Sequence, residues 1–98
     1  MPEVVVVYWR DIPAQVIVGK GRRSAKRQLP PRFEQAIDRA AMKVGLVGSD
    51  AYLTQWRKGA PYRVEGDPAV IVQAEAAQIE ARFDGETLGK LIDGGGCA

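Results

Sequence analysis

Six consecutive residues, Val4-Val5-Val6-Val7-Tyr8-Trp9, are β-branched or aromatic, with no polar residue among them. Such side chains lose rotamer freedom in a helix and fit a pleated surface, so the run predicts a strand. Without polar alternation, the expectation is a strand covered on both faces. Asp11-Ile12-Pro13 should end it, because aspartate bonds its own downstream backbone and proline has no amide hydrogen for a ladder. Gln15-Val16-Ile17-Val18 predicts a second strand, and so short a connection implies an antiparallel hairpin rather than a parallel crossover. Gly19 to Leu29 is polar and poorly alternating, with glycines at 19 and 21. It either extends the second strand or forms a loop.

The period then changes from two to 3.6. Pro30-Pro31 opens the clearest helix, over 32–44, since proline suits a first turn whose amides are unpaired in any case. Phe33, Ala36, Ile37, Ala40, Ala41 and Val44 form one stripe for burial, with Glu34, Asp38, Arg39 and Lys43 off it. Gly45 is a natural stop. Ser49 or Asp50 should cap a shorter helix across Ala51–Lys58, on which Leu53 and Trp56 share a face. Tyr62-Arg63-Val64-Glu65 alternates and suits a third, short strand. Asp67-Pro68 starts another helix with an N-cap and proline at its first position. Val72, Ala76, Ile79 and Phe83 face the core there, while Gln73, Glu75, Gln78 and Glu80 face elsewhere. Asp84-Gly85 interrupts, and Leu88, Leu91 and Ile92 mark a last helical turn or two. The expected architecture is α+β: an N-terminal antiparallel β-hairpin, with room for a third short strand, packed against three to four helices. Residues 1–93 make a single domain in this reading, and 94–98 a flexible glycine-rich tail.

Composition narrows the function classes. A chain of 98 residues with 46% apolar content buries one modest core. The longest apolar run is far too short to span a bilayer, and the residues around Met1-Pro2-Glu3 lack a basic leader region. The expectation is a cytoplasmic protein whose mature form is this whole chain. There is no histidine and a single cysteine, Cys97. This removes the commonest neutral-pH base and metal ligand, and excludes an internal disulfide. The carboxylates lack metal-loop spacing. No metal, no cofactor and no catalytic residues are therefore expected. Asp67 reads as a cap, Glu75 and Glu80 as a solvated face, and Asp11 as a turn residue rather than an acid–base group.

Charge is distributed unevenly. Residues 1–33 hold seven basic and two acidic side chains, a net of +5, and residues 34–98 a net of −3. The basic excess concentrates in Lys20, Arg22, Arg23, Lys26 and Arg27, with no acidic residue between Asp11 and Glu34. This segment is the candidate anion- or partner-binding site. The alternative is a sheet edge blunted by positive charge against edge-to-edge pairing. It is not a phosphate loop, since neither the G-x-x-x-x-G-K-[ST] order nor an immediately following helix is present. Tyr8, Trp9, Tyr52, Trp56 and Tyr62 could offer stacking surfaces. Tyr8 and Trp9 are strand neighbours pointing to opposite faces, however, and core packing with polar tips at the edge is the favoured role.

The stretch Tyr8-Trp9-Arg10-Asp11-Ile12-Pro13-Ala14-Gln15-Val16, continuing through Gly21-Arg22-Arg23 and Arg32-Phe33-Glu34-Gln35-Ala36-Ile37-Asp38, resembles a small bacterial family labelled "virulence factor". It is similar to the domain of that name at the end of larger conserved virulence factor C proteins. The resemblance covers about residues 4–60. It implies no catalytic residues, and a companion role beside one-carbon, methyltetrahydrofolate-type enzymes. The expected function is a non-catalytic accessory or protein-interaction module that docks on an acidic protein partner through the basic segment. The alternatives are a nucleic-acid or other polyanion binder using the same segment, and a small enzyme of unknown class. The first is favoured over polyanion binding because residues 65–98 carry seven acidic and two basic side chains. That flank would repel a long polyanion.

Overall fold

The computed structural model of the chain describes residues 2–19, 21–48 and 50–97. Its first element, β1 (Glu3–Trp9), pairs antiparallel with β2 (Ile12–Val18), as the apolar runs predict. The connection is tighter than expected: only Arg10 and Asp11 lie between the strands, and Arg10 takes φ +55°. β1 does end before Asp11, but Ile12 and Pro13 lie inside β2 and not in the break. The register shifts between Val7 and Tyr8, leaving Ala14 without a β1 partner. A proline is tolerated beside such an irregularity, where the ladder is already broken. The Ala14 carbonyl instead accepts from the Leu29 amide at 3.0 Å.

The undecided segment after β2 resolves into two pieces, a 3-10 turn at Gly21–Arg23 and an edge strand β3 (Ala25–Gln28) paired with β2. Helix α1 spans Pro31–Lys43 and buries Phe33, Ala36, Ile37, Ala40 and Ala41. Val44, expected on that stripe, lies past the helix end and is 40% exposed. The second helix is shorter than predicted. Helix α2 covers Asp50–Thr54, and Trp56–Lys58 form a strand, β4, along the free side of β1. An unpaired β1 edge in the middle of the fold would leave backbone groups unsatisfied, and this pairing outweighs the local helical pattern. The short strand expected over Tyr62–Glu65 is present as β5 (Tyr62–Arg63), the fifth strand and not the third, and pairs with the start of β1. The five-stranded sheet runs β3-β2-β1-β4, with β5 also on β1.

Helix α3 (Pro68–Arg82) begins as predicted, with Asp67 Oδ1 accepting from the Ala69 amide. It packs on β2 and β3, while α1 packs on β2 and on α4 (Gly85–Asp93). Asp84, expected only as an interruption, caps α4 by accepting from the Thr87 amide. One contiguous core joins the sheet and helices, with Val4, Val6, Val16 and Val18 from the hairpin and Ile71, Val72, Ala76 and Ile79 from α3. The alternate hairpin residues Val5, Val7, Gln15 and Ile17 are only half-buried. From Val4 to Val7 the apolar run is therefore covered on one face, not two, whereas Trp9, which alternation places with Val5 and Val7, is fully buried.

The glycine-rich end departs from the expected flexible tail over its described residues, 94–97. Gly95 and Gly96 are buried, and the Gly96 carbonyl accepts from the Asp11 amide at 2.8 Å. Arg10 Nη1 donates to the Gly95 carbonyl at 2.9 Å. Glycine permits this course because Gly95 and Gly96 sit at φ +70° and +95°.

Candidate functional site

Of the five basic residues singled out from the sequence, Lys20 and the side chain of Arg23 lie outside the described residues. Arg22, in the 3-10 turn, and Lys26 and Arg27, on β3, are exposed. They occupy the outer edge of the sheet, since among the described residues β3 pairs only with β2. Lys26 and Arg27 point to opposite faces because successive strand residues alternate. Lys26 stands opposite Ile17, on the half-buried face, and Arg27 opposite Val16, on the covered one.

That half-buried face has a second cationic border. Val7 pairs with Lys58, as Ile17 pairs with Lys26. Val5, Val7 and Ile17 thus form an apolar strip with an exposed lysine on each side. Sequence reading missed Lys58 because it lies in a segment whose pattern is helical. The signal that could have found it is Trp56-Arg57-Lys58 following a short polar stretch, a run too brief to distinguish strand from helix by periodicity.

The β1–β2 turn gathers a second set of polar groups. Arg57 donates through Nε to the Arg10 carbonyl at 2.9 Å and through Nη2 to Asp11 Oδ1 at 3.0 Å. Its guanidinium lies 4.6 Å from the centroid of the Tyr8 ring. Arg10 donates through Nε to Gln55 Oε1 and stacks on Trp9. Asp11 is therefore held by Arg57 and not by its neighbour Arg10, in line with its expected turn role. Cys97 is exposed, its Sγ 3.9 Å from Arg10 Nη1. These contacts bind three chain segments into one corner. Among the described residues, no group of three or more Cys, Asp or Glu side chains is placed to hold a metal ion.

The aromatic residues divide between core and edge. Trp9 is fully buried and donates its indole N–H to the Tyr52 carbonyl at 3.0 Å. Tyr52 packs on Trp9 at 5.5 Å between centroids and meets Trp56 edge-on at 6.2 Å. Tyr62, on β5, donates its hydroxyl to Glu75 Oε2 on α3 at 3.0 Å. Glu75 is thus tied to the sheet instead of facing only solvent.

Burial first, and then the Glu75 carboxylate, push the Tyr62 phenol from 10.0 up to about 12. A raised pKa favours the protonated native state, so this contribution is complete below pH 10 and is lost as the pH rises toward about 12. Wild-type stability, followed by urea unfolding, should fall across that window. Tyr62→Phe should lack this part of the fall and lose about 0.5–1.5 kcal/mol at neutral pH for the missing hydrogen bond. Equal alkaline losses in both proteins would mean that Tyr62 is not the group responsible.

A family model described as "Virulence factor" matches residues 7–92, which takes in the acidic C-terminal third as well as the N-terminal motifs. No curated protein and no solved structure matches the chain.

Proposed function

This chain belongs to the virulence factor family, and we propose that it is a non-catalytic accessory module of the bacterial cytosol that docks on an acidic segment of a partner protein. The observation that carries this reading is the β3 edge with its adjoining open face. Arg22, Lys26 and Arg27 are exposed there, beside the Val5/Val7/Ile17 strip and the second lysine border at Lys58. An extended acidic segment could add to the edge by main-chain hydrogen bonds and set apolar side chains on the strip. Its carboxylates would meet cations on either side. Arginine suits this role because its planar fork grips a carboxylate at two points. The absence of histidine from the sequence is consistent with a binding role rather than neutral-pH acid–base chemistry. The companion implied by the family resemblance, a one-carbon enzyme of the methyltetrahydrofolate type, is the first partner to seek.

The opposite faces taken by Lys26 and Arg27 favour a protein over a nucleic acid. A polyanion backbone is held by a continuous basic groove, whereas these two cations straddle the sheet. In a pull-down from the native host read by mass spectrometry, the wild type should recover an acidic partner at low salt and lose it at high salt. The variant carrying Arg22→Glu, Lys26→Glu and Arg27→Glu should recover none while keeping the wild-type melting temperature. Recovery of the same partner at equal yield by that variant refutes the docking surface. Micromolar binding of single-stranded nucleic acid in physiological salt, lost in the variant, replaces the protein partner with a polyanion.

A further inference from the structure

A cavity of about 230 Å³ opens between α1, the β2–β3 end of the sheet and the α2–β4 corner, lined by Ala14, Gln28, Leu29, Glu34, Ile37, Asp38, Tyr52 and Trp56. Its walls combine two aromatic rings with two carboxylates. Glu34 and Asp38 are four residues apart on α1 and so project from the same side of the helix. The Tyr52 and Trp56 rings stand nearly perpendicular, at 88°, opposite them. Ile37 and Leu29 form an apolar floor, both belonging to the buried core. No lysine or arginine lines the cavity, and neither carboxylate is paired with a cation among the described residues. Both carboxylates act on the Tyr52 hydroxyl, whose proton is held above its ordinary range by burial, then Asp38, then Glu34.

We infer that this cavity binds the alkylammonium or alkylguanidinium end of an organic cation. An aromatic face attracts a cation through its quadrupole, and the attraction grows as the cation leaves water. Carboxylates at the rim supply opposite charge, and the floor receives an alkyl stem. The protein already uses this chemistry internally: Arg10 lies over Trp9, Arg32 over Phe33 and Arg57 over Tyr8, at 5.3, 4.9 and 4.6 Å from the ring centroids. The Trp56 face in the cavity carries no such arginine or lysine among the described residues. The site adjoins the basic edge at Gln28 but is of opposite sign and uses none of its cations, so its test does not depend on the docking proposal.

The test is a titration of the full chain with n-butylammonium chloride at constant ionic strength, following the Trp56 indole N–H and the α1 amides by nuclear magnetic resonance. A saturable shift confined to the cavity is expected, and n-butanol, its neutral counterpart, should produce none. The variant with Glu34→Gln and Asp38→Asn changes exposed positions without changing shape, and should bind about tenfold more weakly. Replacing the amine with an acetylated, amidated Gly-Lys-Gly peptide separates two sources of the cation. Tighter peptide binding identifies a protein side chain, and tighter binding of the free amine identifies a small metabolite. The inference is overturned if the shift fails to saturate, if n-butanol reproduces it, or if the carboxamide variant binds as well as wild type.

Discussion

Trp9→Ala should lower the unfolding free energy by about 3–5 kcal/mol, the cost of truncating a large aromatic side chain in a closed core. Trp9 is the largest fully buried side chain. It is enclosed by Tyr52 on one side and approached by Gly96 on another. Truncation would empty a volume that these neighbours cannot easily refill, because the turn hydrogen bonds hold them in place. It would also leave the Tyr52 carbonyl without its indole donor. Trp56 is the internal control, since it is 38% exposed on a surface strand. Trp56→Ala should cost much less in the same denaturant titration. Similar losses at the two positions would place Trp9 outside the part of the core that limits stability.

Gly96→Ala should destabilise the protein by about 2–5 kcal/mol, from two causes that can be separated. The residue sits at φ +95°, where any L side chain is strained. An added Cβ would also come 2.7 Å from Trp9 Cζ3 and 3.2 Å from Arg10 Cδ. The indole is buried and has nowhere to retreat. Gly45 offers the comparison, with φ +73° and open space where its Cβ would fall. Gly45→Ala should therefore show the backbone strain alone, about 1–2 kcal/mol. Equal melting-temperature losses at Gly45 and Gly96 would show that the C-terminal turn does not press on the Trp9 ring.

The parts of this fold that sequence reading anticipates are those set by neighbours in the chain. The apolar run from Val4, the 3.6 period of Phe33, Ala36, Ile37 and Ala40, and the Asp67-Pro68 helix start each state their own local geometry. The misread parts depend on distant partners. Trp56-Arg57-Lys58 has no strand character of its own and becomes a strand because Val7, Tyr8 and Trp9 present an edge to it. Gly94-Gly95-Gly96 has the composition of a disordered end, yet Arg10 and Asp11 give its carbonyls donors. The candidate surfaces follow the same division. The basic segment is visible as a run of charges, but its splitting across two sheet faces needs the strand assignment of β3. The carboxylate and aromatic cavity is scattered over four separate stretches of chain. Its one legible trace is Glu34 and Asp38 sharing a side of α1.

The closure of Gly95 and Gly96 over the Trp9 corner has a consequence in time. Arg10 and the Gly95 carbonyl that it holds are separated by 85 positions. At roughly 5–20 residues per second, a ribosome needs about 4–17 s to make that stretch. The hairpin itself can pair within microseconds of emerging. For seconds, then, a nascent chain carries a formed hairpin whose indole has no lid and whose inner strand edge awaits β4. Synthesis pauses late in the message would lengthen this interval, and holdase chaperones that recognise exposed aromatic surface would have their opportunity there.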